Sequence, residues 1–179
     1  MIYLGVDPGK AGGIAALDED GVLLETYVMP VITAAKGRDV YDTEGMRRVV
    51  LEASCLGDYA QAARPGIDRR VFATVEKGQP MPKGMGGAYA QFHRGTSPAL
   101  WEGLLVGMQV PRSFEPAQTW QRSMLAGIEG DTKQRALIAA QRLWPGQDWR
   151  ASERSRKPHD GIVDAALIAE YGRRRRGGA

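Results

Sequence analysis

The sequence is short of the residues that staple or metallate small domains. One cysteine, Cys55, occurs in 179 residues, which excludes an internal disulfide framework and suits a reducing compartment. It falls at an apolar position of a helical pattern, where a packed thiol is the ordinary reading. His93 and His159 are the two histidines, so no Cys/His cluster exists to argue for zinc. No apolar run approaches the length of a membrane span. The opening run is too short, and lacks the basic lead, for a secretory signal. Repeats are absent, and the one biased segment is Arg173 to Arg176.

What is present is ordinary for a cytoplasmic globular chain: 43% hydrophobic and 25% charged residues, enough for one domain with a real core. That domain is expected to span residues 1–172, with 173–179 a basic, disordered tail. Lys and Arg total 24 against 21 Asp and Glu, a net charge of +3. The excess is mild and compatible with a polyanionic partner without establishing one. Its placement says more, since 150–157 and 173–176 are both basic.

The first ten residues organise the rest. Ile2 to Val6 is a short apolar run that reads as a central strand, and Pro8 with Gly9 turns the chain directly after Asp7. Strands are expected over 14–17 and 22–29, joined by the turn at 18–21 into an antiparallel meander. Residues 30–41 read as loop. A helix capped by Asp42 or Thr43 follows, ended by Pro65 and Gly66. Residues 71–75 form a fourth strand closed by Glu76. The stretch 77–96, rich in Gly, Met and Pro, reads as a long loop, of a length usually functional or mobile. Ser97 and Pro98 start a helix running to Val106. Further elements are a strand at 110–115, a short helix at 116–125, a helix at 132–144 capped by Asp131, a basic linker at 147–158, and a last helix from Asp160 to Tyr171. This order yields one mixed five-stranded sheet, a three-strand meander plus two parallel strands, with helices on its faces.

Four carboxylates stand where apolar elements end or begin. Asp7 ends the first strand and Glu76 the fourth. Asp160 and Asp164 share one face of the last helix's first turns. If the first and fourth strands are parallel neighbours, all four meet at one sheet edge, where open α/β sheets place their sites. Carboxylates gathered this closely repel, and unpaired ones take up protons. Hard divalent cations remove the repulsion, and oxygen ligands select magnesium or manganese. Two such ions about 4 Å apart form the arrangement that clamps a phosphodiester. Each member also has a plainer reading: Asp7 as a turn residue, Asp160 as a helix cap, Glu76 as the partner of Lys77 or a distant arginine, and His159 as a helix-start residue.

On these residues the chain resembles the RuvC-type Holliday junction resolvases, in their bacteriophage-like variety, on the ribonuclease H-like fold. The likeness is carried by Gly5, Val6, Asp7, Pro8 and Gly9; by Val75 and Glu76 with Gln79, Pro80, Met81 and Pro82; by Thr119 and Trp120; and by His159, Asp160 and Gly161 through Asp164 to Ala169. It implies that Asp7, Glu76 and Asp164 bind metal. Asp160 is the fourth candidate, because it stands four before Asp164 where many members have three, and His159 is the alternative. The implied activity is paired nicking of four-way DNA junctions by a homodimer. Two magnesium ions per site, replaceable by manganese, would leave 5′-phosphate and 3′-hydroxyl ends. Lys77, Lys83, Arg94, Lys133, Arg142 and Lys157 are the expected DNA contacts, and Met81, Met85 and Phe92 the residues that open the junction centre. No nucleotide cofactor is expected: an actin-like or sugar-kinase ATPase shares the fold but needs two such domains. A nuclease for flaps, forks or RNA–DNA hybrids, and a non-catalytic DNA-binding module, are the remaining readings.

Overall fold

The structure, a computed structural model, describes residues 1–34, 37–60, 71–78 and 88–177; the side chains of residues 38, 57–60 and 88–94 lie outside the description. Strand β1 (Ile2–Asp7) is the axis of a five-stranded sheet. It pairs antiparallel with β2 (Gly13–Leu17), which pairs antiparallel with β3 (Leu23–Val28). A second sheet, β4 (Val31–Ala34) with β5 (Arg38–Tyr41), is a two-stranded hairpin. Helix α1 (Thr43–Ala60) leads to β6 (Val71–Lys77), parallel to β1 on its other side. Helix α2 (Ala88–Gly107) is followed by β7 (Arg112–Pro116), parallel to β6. Helices α3 (Ala117–Met124), α4 (Thr132–Leu143) and α5 (Asp160–Gly177) complete the chain. The main sheet reads β3-β2-β1-β6-β7, the mixed sheet expected from the sequence.

Side-chain alternation along the strands divides the core in two. Ile2, Leu4 and Val6 of β1 and Val71, Ala73 and Val75 of β6 pack with Met46, Val50, Trp101 and Leu105 of α1 and α2. On the opposite face α5 lies on the sheet, with Trp120 of α3 and Ala136, Ala139 and Ala140 of α4 outside it. Burying a large apolar side chain fully is worth about 1.5–3 kcal/mol, so both layers are held firmly.

Two glycine contacts fix where α5 sits. A Cβ on Gly5 would lie 2.0 Å from the Ala165 carbonyl oxygen and 2.3 Å from the Ala169 nitrogen, so only glycine lets the helix backbone touch β1. Gly12 and Gly161 form an isolated bridge, and a Cβ on Gly161 would meet the Gly12 backbone at 2.5 Å. The start of α5 is thereby held beside the β1–β2 turn, at the edge where Asp7 emerges.

Three expected elements differ. Residues 30–41 are a hairpin rather than loop: Val31, Ile32, Val40 and Tyr41 are β-formers, and Gly37 supplies the positive φ of the turn (+69°). Helix α2 begins at Ala88, well before Ser97, and Pro98 lies inside it. Ala88, Ala90, Gln91 and Arg94 favour helix, and a proline removes only one interior hydrogen bond. Helix α5 does not stop at Tyr171 but runs to Gly177, because Arg173 and Arg174 reach back to Glu170 and Arg176 stacks 4.2 Å above the Phe72 ring. The helix end expected at Pro65 and Gly66 lies outside the described residues, as do residues 79–87 of the loop expected at 77–96, whose last nine residues, 88–96, are helical instead.

Candidate active site

The register of β1 and β6 assembles the site. Val6 stands opposite Val75, so the next residues, Asp7 and Glu76, leave adjacent parallel strands side by side. Both follow the alternation of Gly5 and Thr74 onto the α5 face. There Asp164, one turn into α5, meets them from above. Asp160 lies at the helix start and is exposed.

Burial raises the Asp7 carboxyl above its ordinary value, against the lowering effects of the Gly9 N–H, 3.3 Å from Oδ1, and of nearby His159. Glu76 is pushed up to about 7 by burial and by Asp7, although the Trp120 indole N–H donates to its Oε2 at 2.9 Å and pulls the other way. Asp164 is likewise raised to about 7, by burial first and then by Asp7, Glu76 and Asp160, with Lys133 opposing. Among the described residues none of these three is in an ion pair with lysine or arginine; Asp160 alone is, with Lys133. The fold therefore pays to hold three mutually repelling carboxylates.

Their chemistry fits a hard divalent ion, since every donor is a carboxylate oxygen and two titrate near neutrality, within reach of displacement by a cation. The backbone brings the side chains to one rim, but their present positions leave the cluster open. Among the described residues no three His, Cys, Asp or Glu groups are gathered closely enough to ligate one ion.

His159 takes the cap position that the sequence left open for Asp160. Its Nδ1 accepts the Ile162 N–H at 3.3 Å, and its carbonyl accepts from Ile162 and Val163. Asp160 belongs to the first helical turn instead. Of the expected DNA contacts, Lys133 and Lys157 lie beside Asp160 and Asp164 around a recess of about 210 Å³ that includes Leu137 and Val163. Lys77 ends β6, exposed, next to Glu76. Arg142 is nine residues beyond Lys133 on α4, roughly 13 Å along the axis, and lies toward the opposite end of the sheet, where the Trp144 indole donates to the Gly21 carbonyl. Lys83, Met81 and Met85, and the side chains of Arg94 and Phe92, lie outside the described residues.

Four further residues belong to the site. Trp120 is fully buried and is the hydrogen-bond partner of Glu76. Lys10, Tyr41 and Ser97 line a cleft of about 540 Å³ together with Asp7 and Glu76. The signal for Tyr41 was the β-branched run before it, and for Ser97 a serine facing inward on a helix; neither carries a chemical motif of its own.

No family model matches the chain, and no curated protein does. Among solved structures it is similar to Thermus thermophilus RuvC, at 16% identity and a TM-score of 0.48 over 99% of this chain and 97% of that one. It is also similar to T. thermophilus RuvC in complex with a Holliday junction substrate, at 13% identity and a TM-score of 0.50 over the same shares. At that identity the second likeness establishes the α/β, ribonuclease H-like fold alone. Among the described residues no helix is long and apolar enough to cross a membrane.

Proposed function

We propose that this chain is a divalent-metal-dependent endonuclease of the RuvC type that cuts branched DNA, four-way junctions above all. The observation that carries the reading is the meeting of Asp7, Glu76 and Asp164 from two parallel strands and one helix, none of them in an ion pair with lysine or arginine among the described residues. The fold shared with T. thermophilus RuvC, whose structure is in complex with a Holliday junction substrate, supports it.

Residues 1–172 form the single catalytic domain, and a two-fold homodimer presents two sites to strands related by the same axis. Asp7, Glu76 and Asp164 would hold magnesium or manganese, two ions per site, with Asp160 as the fourth candidate ligand. Bound ions supply Lewis-acid activation of water and charge neutralisation at the scissile phosphate, leaving 5′-phosphate and 3′-hydroxyl ends. The chain's own part is positional. Trp120 fixes one oxygen of Glu76. Glu76 and Asp164 give up their protons as the site is loaded. Lys133 and Lys157 face the phosphates of the strand next to Asp160, and Lys77 those beyond Glu76.

A cleavage panel tests this: four-way, flap, fork, linear and RNA–DNA hybrid substrates, each with magnesium, with manganese and with a chelator. The expected result is paired nicks fastest in the four-way junction and none under chelation. Linear DNA cut as fast as the junction removes the resolvase reading. A flap or hybrid preference moves the substrate. Binding without cutting under either metal leaves a DNA-binding module.

A further inference from the structure

We propose that Lys10, Tyr41 and Ser97 grip one phosphate of the bound strand, on the side of the carboxylates that faces the β4–β5 hairpin. The inference rests on the nucleic-acid reading of the site and adds to it a wall that no motif marked. A polyanion entering a cleft that holds Asp7 and Glu76 is repelled unless donors stand beside them. Lys10 is the one lysine or arginine among the described residues lining this cleft. It is not a loose surface cation. Its Nζ donates to the Asp39 carbonyl oxygen of the hairpin, and it sits 5.8 Å from the centroid of the Tyr41 ring. An ammonium carries three donors, so two remain for a phosphate oxygen.

Beside it the Tyr41 hydroxyl donates to the Pro8 carbonyl at 3.1 Å and contacts the Ser97 hydroxyl closely. With the tyrosine proton on Pro8, the serine proton falls on the tyrosine oxygen. Two rotatable hydroxyl protons thus sit on the cleft wall, one on the Pro8 carbonyl and one on the tyrosine oxygen, and either can swing to an incoming oxygen. Ser97 is buried at 7% exposure, deeper than a solvent-facing serine needs to be. A lysine with two hydroxyls is a donor set for an anion, in the same cleft as the carboxylates that suit cations. The ligand class is therefore a nucleic-acid phosphodiester, adjacent to the one being cut.

The test uses the full chain carrying Asp7→Asn, so that binding is read without cleavage, and a labelled four-way junction titrated from 50 to 200 mM salt. Adding Lys10→Met is expected to lower the slope of log affinity against log salt by about 0.7–0.9, the share of one phosphate contact. In the otherwise native enzyme the same change raises KM severalfold with kcat held within twofold. Tyr41→Phe with Ser97→Ala raises KM similarly while the melting temperature stays within a few degrees. Val40→Thr, one residue before Tyr41 and so on the hairpin's other face, leaves slope and KM unchanged. An unchanged slope with Lys10→Met overturns the proposal, and so does a hydroxyl double variant that lowers the melting temperature without moving KM. If the Asp7→Asn chain binds no nucleic acid even at 50 mM salt, the nuclease reading itself falls; binding with an unaltered Lys10 slope sinks only this inference.

Discussion

Helix α5 carries two inward carboxylates six residues apart, and the chain treats them in opposite ways. Burial would raise Glu170, but Arg173, at 2.7 and 2.9 Å, and Arg174, at 2.7 Å, outweigh it and hold the carboxyl below its ordinary value. Asp164 has burial and three carboxylates pushing the same way, with Lys133 alone in opposition, and sits near 7. The same helix that supplies two arginines to neutralise one acid supplies none to the other. A fold able to pair its buried charges has left one set unpaired, and that contrast marks the set as the candidate site.

The largest effect expected from breaking this contrast is a double dissociation. Asp164→Asn should cut kcat by at least about a thousandfold, ~4 kcal/mol of transition-state stabilisation, while the metal-free protein gains stability at pH 8 because a repelled charge is gone. Glu170→Gln should do the reverse, costing about 2 kcal/mol of stability by stranding two arginines, with kcat nearly intact. The loss is limited because Arg174 is half exposed, so water takes up part of its charge. Cleavage rates and melting curves on both variants decide it. Loss of fold in Asp164→Asn, or loss of chemistry in Glu170→Gln, would erase the distinction.

Next in size is the link between Glu76 and Trp120. Trp120→Phe keeps the buried ring and removes the N–H that holds Oε2. Partners that orient a metal ligand are typically worth 10–100-fold in affinity or activity, and the loss here should appear as weaker magnesium activation. The indole is one of four in the chain, so a fluorescence change on adding metal that vanishes in Trp120→Phe reports the contact without any turnover. A persistent change would place the reporter elsewhere.

The contrast also has a pH signature, with opposite signs for the two acids. Asp164 and Glu76 bind protons more tightly folded than unfolded, so their contribution is intact below the unfolded value near 4. It is lost as pH rises toward the folded value of about 7, and levels off above it. Glu170 is depressed, so its contribution is present above the unfolded value and lost as pH falls through the folded one. Denaturant unfolding of the metal-free protein should therefore show stability declining from pH 5 to 7, with a shallower decline in Asp164→Asn. Added magnesium should restore stability at pH 8 and release protons at pH 7. A flat profile in the native protein would mean that neither acid is held protonated.

The sequence made the frame of this site readable and hid its walls. Asp7 and Glu76 were legible because each closes an apolar strand, and strands parallel to each other bring such ends together. Asp164 was legible through helical spacing from Asp160. The glycines that seat α5 were visible as residues but not as contacts, because what a Cβ on Gly5 meets lies at Ala165 and Ala169, far along the chain. Tyr41 was lost with the hairpin, whose short strands in a polar stretch gave too little period. The cap, one of the plainer readings of Asp160, falls to His159, which offers its ring nitrogen to Ile162 as the helix-start reading of that residue implied. The arginines after Tyr171 read as a tail because their partner, Glu170, looked like one more residue of an apolar helix.

The smallest expected effect concerns the fourth carboxylate, which stands between the two cases. Asp160 is exposed, paired with Lys133, and raises Asp164 by its charge. An acid already matched with a cation and open to water contributes little by repulsion, since surface pairs are worth about 0–1 kcal/mol. Its replacement by asparagine should lower kcat by no more than about tenfold, against the thousandfold at Asp164, an energy gap of roughly 3 kcal/mol. Lys133 is then released toward substrate, so junction binding should tighten and its salt slope steepen slightly. Activity lost as completely at Asp160 as at Asp164 would show that Lys133 yields its partner when the site is loaded. The line between paired and unpaired carboxylates would then have to be drawn in the loaded enzyme and not in the free one.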